Sequence, residues 1–269
     1  MSNSAIASER VIVFGASGFL GSHVADALSS AGYQVRLFDR SASPHLKPDQ
    51  EMIIGDIMNL DQVIEAARDC SVVYNFAAIA DIDEAHNKPI PTATINVLGN
   101  MHVLEAARIA GARRFVFASS VYVYSESGSF YRASKQAAER FTETYHERYG
   151  LDYNILRYGS LYGRRADKRN GIYRMLLEAV KNHSITYKGS GEAMREYIHV
   201  EDAARMSVQI LAPEFANRHL ILTGQEKMRI KDVMTMISEI LPWSVELHFD
   251  EANAVHHYEI TPYAFHPRI

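Results

Sequence analysis

Residues 10–28 read RVIVFGASGFLGSHVADAL. Four strand-forming residues, Val11, Ile12, Val13 and Phe14, run into three glycines, Gly15, Gly18 and Gly21, and an apolar helical pattern follows at once. Glycine permits a tight turn and close backbone approach, and a helix opening there offers free N–H groups to an anion. Strand, G-x-x-G-x-x-G and helix in this order predict a dock for a dinucleotide pyrophosphate. Asp39, eighteen residues past Gly21, ends the next apolar run. A carboxylate there accepts hydrogen bonds from ribose hydroxyls and repels a 2′-phosphate, which favours NAD over NADP, although Arg40 next door softens that choice.

The same alternation continues outward. RVIVF precedes a helix near 19–31 and then QVRLF; EMIIGDI precedes a short helix near 60–68. SVVYNFAA leads into a long helix near 91–110, RRFVFASS into another near 131–149, and YNILRY closes the series. Buried strands alternating with helices predict a parallel sheet covered on both faces, the doubly wound α/β (Rossmann) arrangement. After Gly163 come a basic loop, RRADKRNG, a helix near 172–181, short strands at SITYKG and REYIHV, and a helix in VEDAARMSVQIL. A strand, a helix and a strand then run to about 249. Residues 1–163 are thus expected to form the dinucleotide-binding domain, rejoined by a segment near 193–212. Residues 164–192 and 213–269 are expected to form a smaller C-terminal substrate-binding lobe.

At 269 residues, with 47% hydrophobic and 22% charged, the chain is ordinary globular material. A net charge of −4 gives no reason to expect nucleic acid or an anionic membrane as partner. The single cysteine, Cys70, excludes an internal disulfide and suits a reducing compartment. MSNSAIASER lacks the charged start and apolar core of a signal peptide, and no apolar run approaches the roughly 20 residues that span a bilayer. A soluble cytoplasmic protein is expected. None of the twelve histidines, His199 and the pair His256-His257 included, has metal-ligand spacing with acidic or cysteine partners, so no metal is expected.

NVLGNMHVLEAARIAGARRFVFASS, YRASK and REYIHVEDAA follow the glycine motif in that order. Together they resemble the extended branch of the short-chain dehydrogenase/reductases, the NAD-dependent epimerase/dehydratase family of nucleotide-sugar enzymes, over nearly the whole chain. Tyr131 and Lys135 in YRASK need that context, since a Tyr and a Lys four apart occur by chance about once in such a chain. On a helix the i,i+4 spacing stacks both side chains on one face. An ammonium and a nicotinamide cation nearby would each favour the phenolate and lower the Tyr131 pKa toward a working pH. The resemblance makes Tyr131 and Lys135 catalytic and gives Ser120, in ASSVYVY, the place of the catalytic hydroxyl, with Ser119 at the strand end near the cofactor. Tyr124 falls at the family's structural tyrosine, and Tyr122 is expected to pack.

By the same resemblance Gly15, Ser17, Gly18, Phe19, Leu20 and Gly21 bind the NAD diphosphate, and Asp39 and Arg40 lie at its ribose. Asp56 and Ile57 meet adenine, Phe76, Ala77 and Ala78 lie beneath the cofactor, Asn96 supports the site, and Tyr158 lies near the nicotinamide. Ser120, Ser160, Arg165 and Arg195 are the implied contacts to a nucleotide-diphosphate sugar, Arg195 through the diphosphate. Arg164, Arg165, Lys168 and Arg169 read equally as a solvated charge run or a nucleotide clamp. A homodimer through the two long helices is the implied assembly.

The family's 4,6-dehydratases carry Asp-Glu directly after the catalytic Thr, and its decarboxylases keep a Glu there. This chain has Val121 and Tyr122, which disfavours dehydration. Oxidation at a sugar carbon remains, C4 foremost. A hydride returned to the other face makes an epimerase, and one retained makes a dehydrogenase or reductase. A non-catalytic NAD-binding regulator is the third reading. The chain departs from the family in three places. Eleven positions separate Ser120 from Tyr131, where the family has about twice as many. Gly159-Ser160 replaces the FN that follows LRY, and TPYAFHPRI stands where a last helical segment is expected.

Overall fold

β1 (Arg10–Phe14) sends Val11 and Val13 to one face and Ile12 and Phe14 to the other, and all four are fully buried. A strand apolar on both faces requires cover on both. In this structure, a computed structural model that describes residues 9–253, helices supply it. The chain continues through α1 (Phe19–Ser30), β2 (Gln34–Asp39), β3 (Gln50–Ile54), α2 (Leu60–Ala67) and β4 (Val72–Asn75). Two short helices, α3 (Ile82–Asn87) and α4 (Pro89–Ala93), a π-helical turn (Thr94–Gly99) and α5 (Asn100–Ile109) precede β5 (Arg114–Ser120), α6 (Ser129–Tyr149) and β6 (Tyr153–Tyr158). The remainder holds β7 (Ser160–Tyr162), α7 (Gly171–Asn182), β8 (Ser184–Tyr187), β9 (Met194–His199) and α8 (Val200–Gln209). Last come β10 (Arg218–Leu222), β11 (Lys227–Arg229), α9 (Ile230–Ile240) and β12 (Glu246–Phe249).

Seven parallel strands form the main sheet in the order β10-β6-β5-β4-β1-β2-β3. The chain works outward from β1 to β3, then crosses back to β4 on the other side of β1. The loops leaving β1 and β4 therefore part, and open a crevice at the strands' carboxyl ends, where ligands of such sheets bind. On one face Val24, Ala25 and Leu28 of α1 and Ala203 and Ala204 of α8 join the core of Val11 and Val13. On the other, Val63, Leu104, Ala107 and Ala138 of α2, α5 and α6 join Ile12, Phe14, Phe115 and Phe117. The doubly wound α/β fold expected from the sequence is the fold observed. Ala179, Ile185, Val233, Met234 and Ile237 build a separate core for α7, β8 and α9, beside a three-stranded sheet in the order β11-β9-β7.

Three details differ from the sequence expectation. β10, within the stretch 213–269 expected to build the lobe, pairs with β6 and is the edge strand of the main sheet. The long helix expected near 91–110 runs without interruption from Pro89 to Ile109 but contains a π-helical turn, Thr94–Gly99, where Asn96 is 2% exposed. β7 is an additional short strand, paired with β9.

Gly15 fixes how closely the β1 and β4 loops meet. Its φ is +78°, and a Cβ there would lie 2.5 Å from the Ala77 nitrogen and 2.6 Å from the Phe76 carbonyl carbon. Gly32 also has a positive φ, +92°, but a Cβ there would meet nothing within 4 Å. Gly15→Ala is expected to cost at least about 3 kcal/mol, and Gly32→Ala about 1 kcal/mol, the conformational part alone. Calorimetric unfolding of the two variants checks this; equal losses would mean that the close approach adds nothing.

Candidate active site

The crevice holds two adjoining cavities, of roughly 310 and 330 Å3. The first begins at the glycine turn. The Gly15 N–H donates to the Phe38 carbonyl at 2.9 Å, the Ser17 N–H to Asp39 Oδ2 at 2.9 Å, and the Arg40 N–H to Asp39 Oδ1 at 2.7 Å. The Ser17 hydroxyl donates to the Ser41 carbonyl at 2.7 Å. Asp39 thus ties the turn to the end of β2 while standing in the cavity wall with Arg40, Asp56 and Ile57. Phe76, Ala77 and Ala78 line the same cavity, and the Phe76 ring stacks on Tyr74 at 6.0 Å between centroids.

The second cavity passes Phe19, Leu20 and Gly21 and reaches Ser119, Ser120, Tyr131, Lys135 and Tyr158. Tyr131 and Lys135, one turn apart on α6, are 8% and 4% exposed. Lys135 Nζ donates to the Ala118 carbonyl at 2.6 Å and lies 4.8 Å from the Phe117 ring centre and 5.8 Å from that of Tyr131. Ser120 hydrogen-bonds the Tyr131 side chain and accepts the Tyr122 N–H at 3.3 Å. Burial pushes the Tyr131 phenol up to about 12, against the Ser120 bond, which lowers it. Burial also pushes Lys135 down to about 8, against the charge of Glu139. Burial is thus the larger influence on the phenol, and the Lys135 ammonium donates to the Ala118 carbonyl rather than to Tyr131. The Tyr158 hydroxyl is turned away to Ser207 Oγ at 2.6 Å, leaving its ring in the cavity wall.

Asn96 lines neither cavity. Its Oδ1 accepts the Ile79 N–H at 2.7 Å, and its Nδ2 donates to the Ile79 carbonyl at 3.0 Å and to Ser134 Oγ at 2.9 Å. The Ser134 hydroxyl donates in turn to the Tyr131 carbonyl at 2.7 Å. The π-helical turn thereby clamps the β4 loop to α6, a use typical of such turns.

Sequence reasoning missed Glu139, one turn beyond Lys135 on the same face of α6. Its carboxylate accepts the Ser119 hydroxyl at 2.5 Å and two bonds from Arg157, at 2.9 and 2.6 Å. Arg157 also bonds the Tyr124 hydroxyl and lies 2.8 Å from His219 Nδ1, whose Nε2 is 2.9 Å from Glu143. The i,i+4,i+8 series Tyr131, Lys135, Glu139 was the available signal.

Other expected residues are not brought to either cavity. Ser160 lies between the lining residues Gly159 and Leu161 without lining the cavity itself. Arg165 is ion-paired at 2.7 Å with Asp26 of α1, and Arg195 is buried on β9 with its Nη1 donating to the Met194 carbonyl. Of the four basic residues Arg164, Arg165, Lys168 and Arg169, Arg169 alone lines the crevice. The His199 ring accepts the Glu201 N–H at the start of α8, and no group of three or more His, Cys, Asp or Glu among the described residues could hold a metal. His256 and His257 lie outside the described residues. Among the described residues no helix is long and apolar enough to cross a membrane.

Residues 11–221 match the family model described as NAD dependent epimerase/dehydratase family. The chain belongs to this family. A protein of Methanocaldococcus jannaschii, named provisionally as a UDP-glucose 4-epimerase, is 31% identical over 75% of this chain and 73% of its own length. A UDP-glucose 4-epimerase of Mycolicibacterium smegmatis is 29% identical over 76% and 74%. The solved UDP-glucose 4-epimerase of Thermus thermophilus, in complex with NAD, superimposes with a TM-score of 0.82 at 25% identity, covering 94% of this chain and 90% of that one.

Two departures from the family pattern have structural reasons. At Gly159 a Cβ would lie 2.7 Å from Thr223 Cγ2 and 2.8 Å from the Glu196 carbonyl oxygen, so a bulky side chain does not fit there. The short Ser120–Tyr131 segment turns through a 3-10 turn, Val121–Tyr124, and through Gly128 at φ +101°. Arg132 closes it by donating to the Ser125 carbonyl at 2.6 Å, and Tyr122 packs edge-on against Tyr131 at 6.3 Å between centroids.

Lys135 sheds its proton near pH 8 when folded and near its ordinary 10.5 when unfolded. Between those values the unfolded chain holds the extra proton, so Lys135 contributes stability that rises with pH, by on the order of 3 kcal/mol across the window, opposed above pH 10 by Tyr131, which keeps its proton only when folded. Lys135→Met should flatten that rise, as urea titrations from pH 7 to 10.5 would reveal. Glu139→Ala, which strands the Arg157 guanidinium, is expected to cost about 3–5 kcal/mol in the same assay at neutral pH.

Proposed function

We propose that this chain is an NAD-dependent epimerase of nucleotide sugars, acting on a UDP-hexose by transient oxidation at C4. The observation that carries the reading is the convergence of Ser120, Tyr131 and Lys135 on a cavity continuous with one walled by Asp39. The relatives named UDP-glucose 4-epimerases and the NAD complex of the Thermus enzyme support the substrate class and the cofactor. The residues present suit the cofactor: Gly15, Gly18 and Gly21 let the turn close on itself and on the Phe76–Ala77 peptide, so that α1 opens at the crevice, and Asp39 suits unphosphorylated ribose hydroxyls. Bound NAD would supply a hydride acceptor and the positive charge of its nicotinamide.

Tyr131, once ionised, takes the C4 hydroxyl proton as the hydride leaves that carbon. The Lys135 ammonium favours the phenolate, and Ser120 holds the same sugar oxygen. Inversion at C4 would need the hydride returned to the opposite face, and Tyr131 would then give its proton back to the sugar oxygen. Val121 and Tyr122 provide no carboxyl group after Ser120 for loss of water. A homodimer through α4, α5 and α6 belongs to the same reading, supported by Ile90, Ile109 and Phe141, which stand exposed on those helices.

Denaturing the freshly purified protein with no cofactor added is expected to release near-stoichiometric NAD. Tyr131→Phe should lower UDP-glucose/UDP-galactose interconversion by about 100- to 10,000-fold with bound NAD unchanged. An unimpaired variant would refute the acid/base assignment. Net consumption of added NAD with a UDP-sugar would replace the epimerase by a dehydrogenase.

A further inference from the structure

Arg169 stands where the two cavities meet. Gly15, Gly18, Phe76, Ala78 and Arg169 line both, and Arg169 is the only charged residue of the five. It reaches the crevice from the loop between β7 and α7, across from the glycine turn. That loop is anchored on either side of it, by the Arg165–Asp26 pair and by the Asn170 side chain, whose Nδ2 donates to the Leu161 carbonyl at 2.7 Å. Between the anchors, Arg169 is held by Asp167 through Nε at 3.0 and 3.1 Å and Nη2 at 2.5 Å. The two side chains are 69% and 51% exposed. An ion pair in that much water contributes little, so the guanidinium can exchange Asp167 for another anion at small cost.

The glycine turn leaves a place for such a cation. The N–H groups of Gly15 and Ala16 are directed to the Phe38 carbonyl, that of Ser17 to Asp39, and that of Gly18 to the Gly15 carbonyl. The first-turn N–H groups of Phe19, Leu20 and Gly21 remain, since a helix gives them no acceptor of its own. They present about half a positive charge, and no charged side chain stands in that turn. A diphosphate brings about one negative charge per phosphate, which the helix end leaves largely unbalanced. Arg40 lines only the first cavity, beside Asp39.

We propose that Arg169 is the diphosphate clamp for the cofactor, leaving Asp167 to pair with the dinucleotide's phosphates opposite the start of α1. Asp167 is then the built-in competitor that holds the guanidinium at the crevice until the cofactor arrives. The inference rests on the NAD reading above and adds a residue from the far side of the crevice, which ties cofactor retention to the β7–α7 loop.

Equilibrium dialysis of the full-length protein, freed of any retained cofactor, tests it, with NAD, adenosine and UDP as probes. Arg169→Gln should raise the dissociation constant for NAD about 10- to 100-fold, the worth of a charge-assisted hydrogen bond. It should leave adenosine and UDP binding unchanged. Asp167→Asn should tighten NAD by up to about fivefold, by removing the competitor. Unchanged NAD affinity in Arg169→Gln would overturn the clamp, and so would an equal loss for adenosine, which marks a disturbed fold. Weakened UDP with unaltered NAD would also overturn it and assign Arg169 to the substrate. Failure of the unaltered protein to bind NAD would instead defeat the cofactor reading itself, a result distinct from all of these.

Discussion

The near-contact of Gly15 with the Phe76–Ala77 peptide is the constraint on which the rest of the site depends. β1 and β4 are hydrogen-bonded neighbours, yet the loops leaving them must diverge, one into α1 and the other into α3. They can do so only if the first loop turns inside the width of a backbone, which a Cβ at residue 15 would prevent. That turn aims α1 at the crevice and brings Asp39 to the Ser17 N–H. Both cavities share Gly15 and Gly18, so the space for each half of a dinucleotide follows from the same local geometry.

α6 provides the second fixed element. Its inward face carries Tyr131, Lys135 and Glu139 at successive turns, all buried. Such a stripe is costly unless each polar group finds a partner. Lys135 has the Ala118 carbonyl, and Glu139 has Ser119 and Arg157. The cost that remains shows as the displaced proton affinities of Tyr131 and Lys135, both moved by burial toward their neutral forms. A site at rest with a neutral phenol and a readily neutralised amine responds strongly to any charge brought beside it, which is the property required of an acid/base pair that must work in both directions.

The glycine spacing, the carboxylate at the end of β2 and the Tyr-Lys pair were legible because each is a short-range pattern set by strand and helix periods. The alternation of buried strands and helices was enough for the doubly wound sheet, since a strand apolar on both faces has few other ways to be covered. The pattern was silent on β10, a short strand that reads the same whether it pairs with β6 or within the lobe. It was misleading over 91–110, where a continuous helical period conceals a π-helical turn that only the Ile79 and Ser134 bonds to Asn96 account for.

The sequence alone pointed to the family through motifs in their order along the chain, and to the sheet through the strand and helix periods between them. Tertiary structure alone decided which charges meet. Arg157 finds Glu139 and His219 because β6 lies between β5 and β10, and Arg165 is diverted to Asp26 because the β7–α7 loop passes over α1. Such pairs span 18 to 139 positions. Their distances are set by strand order and burial, quantities that no local period encodes.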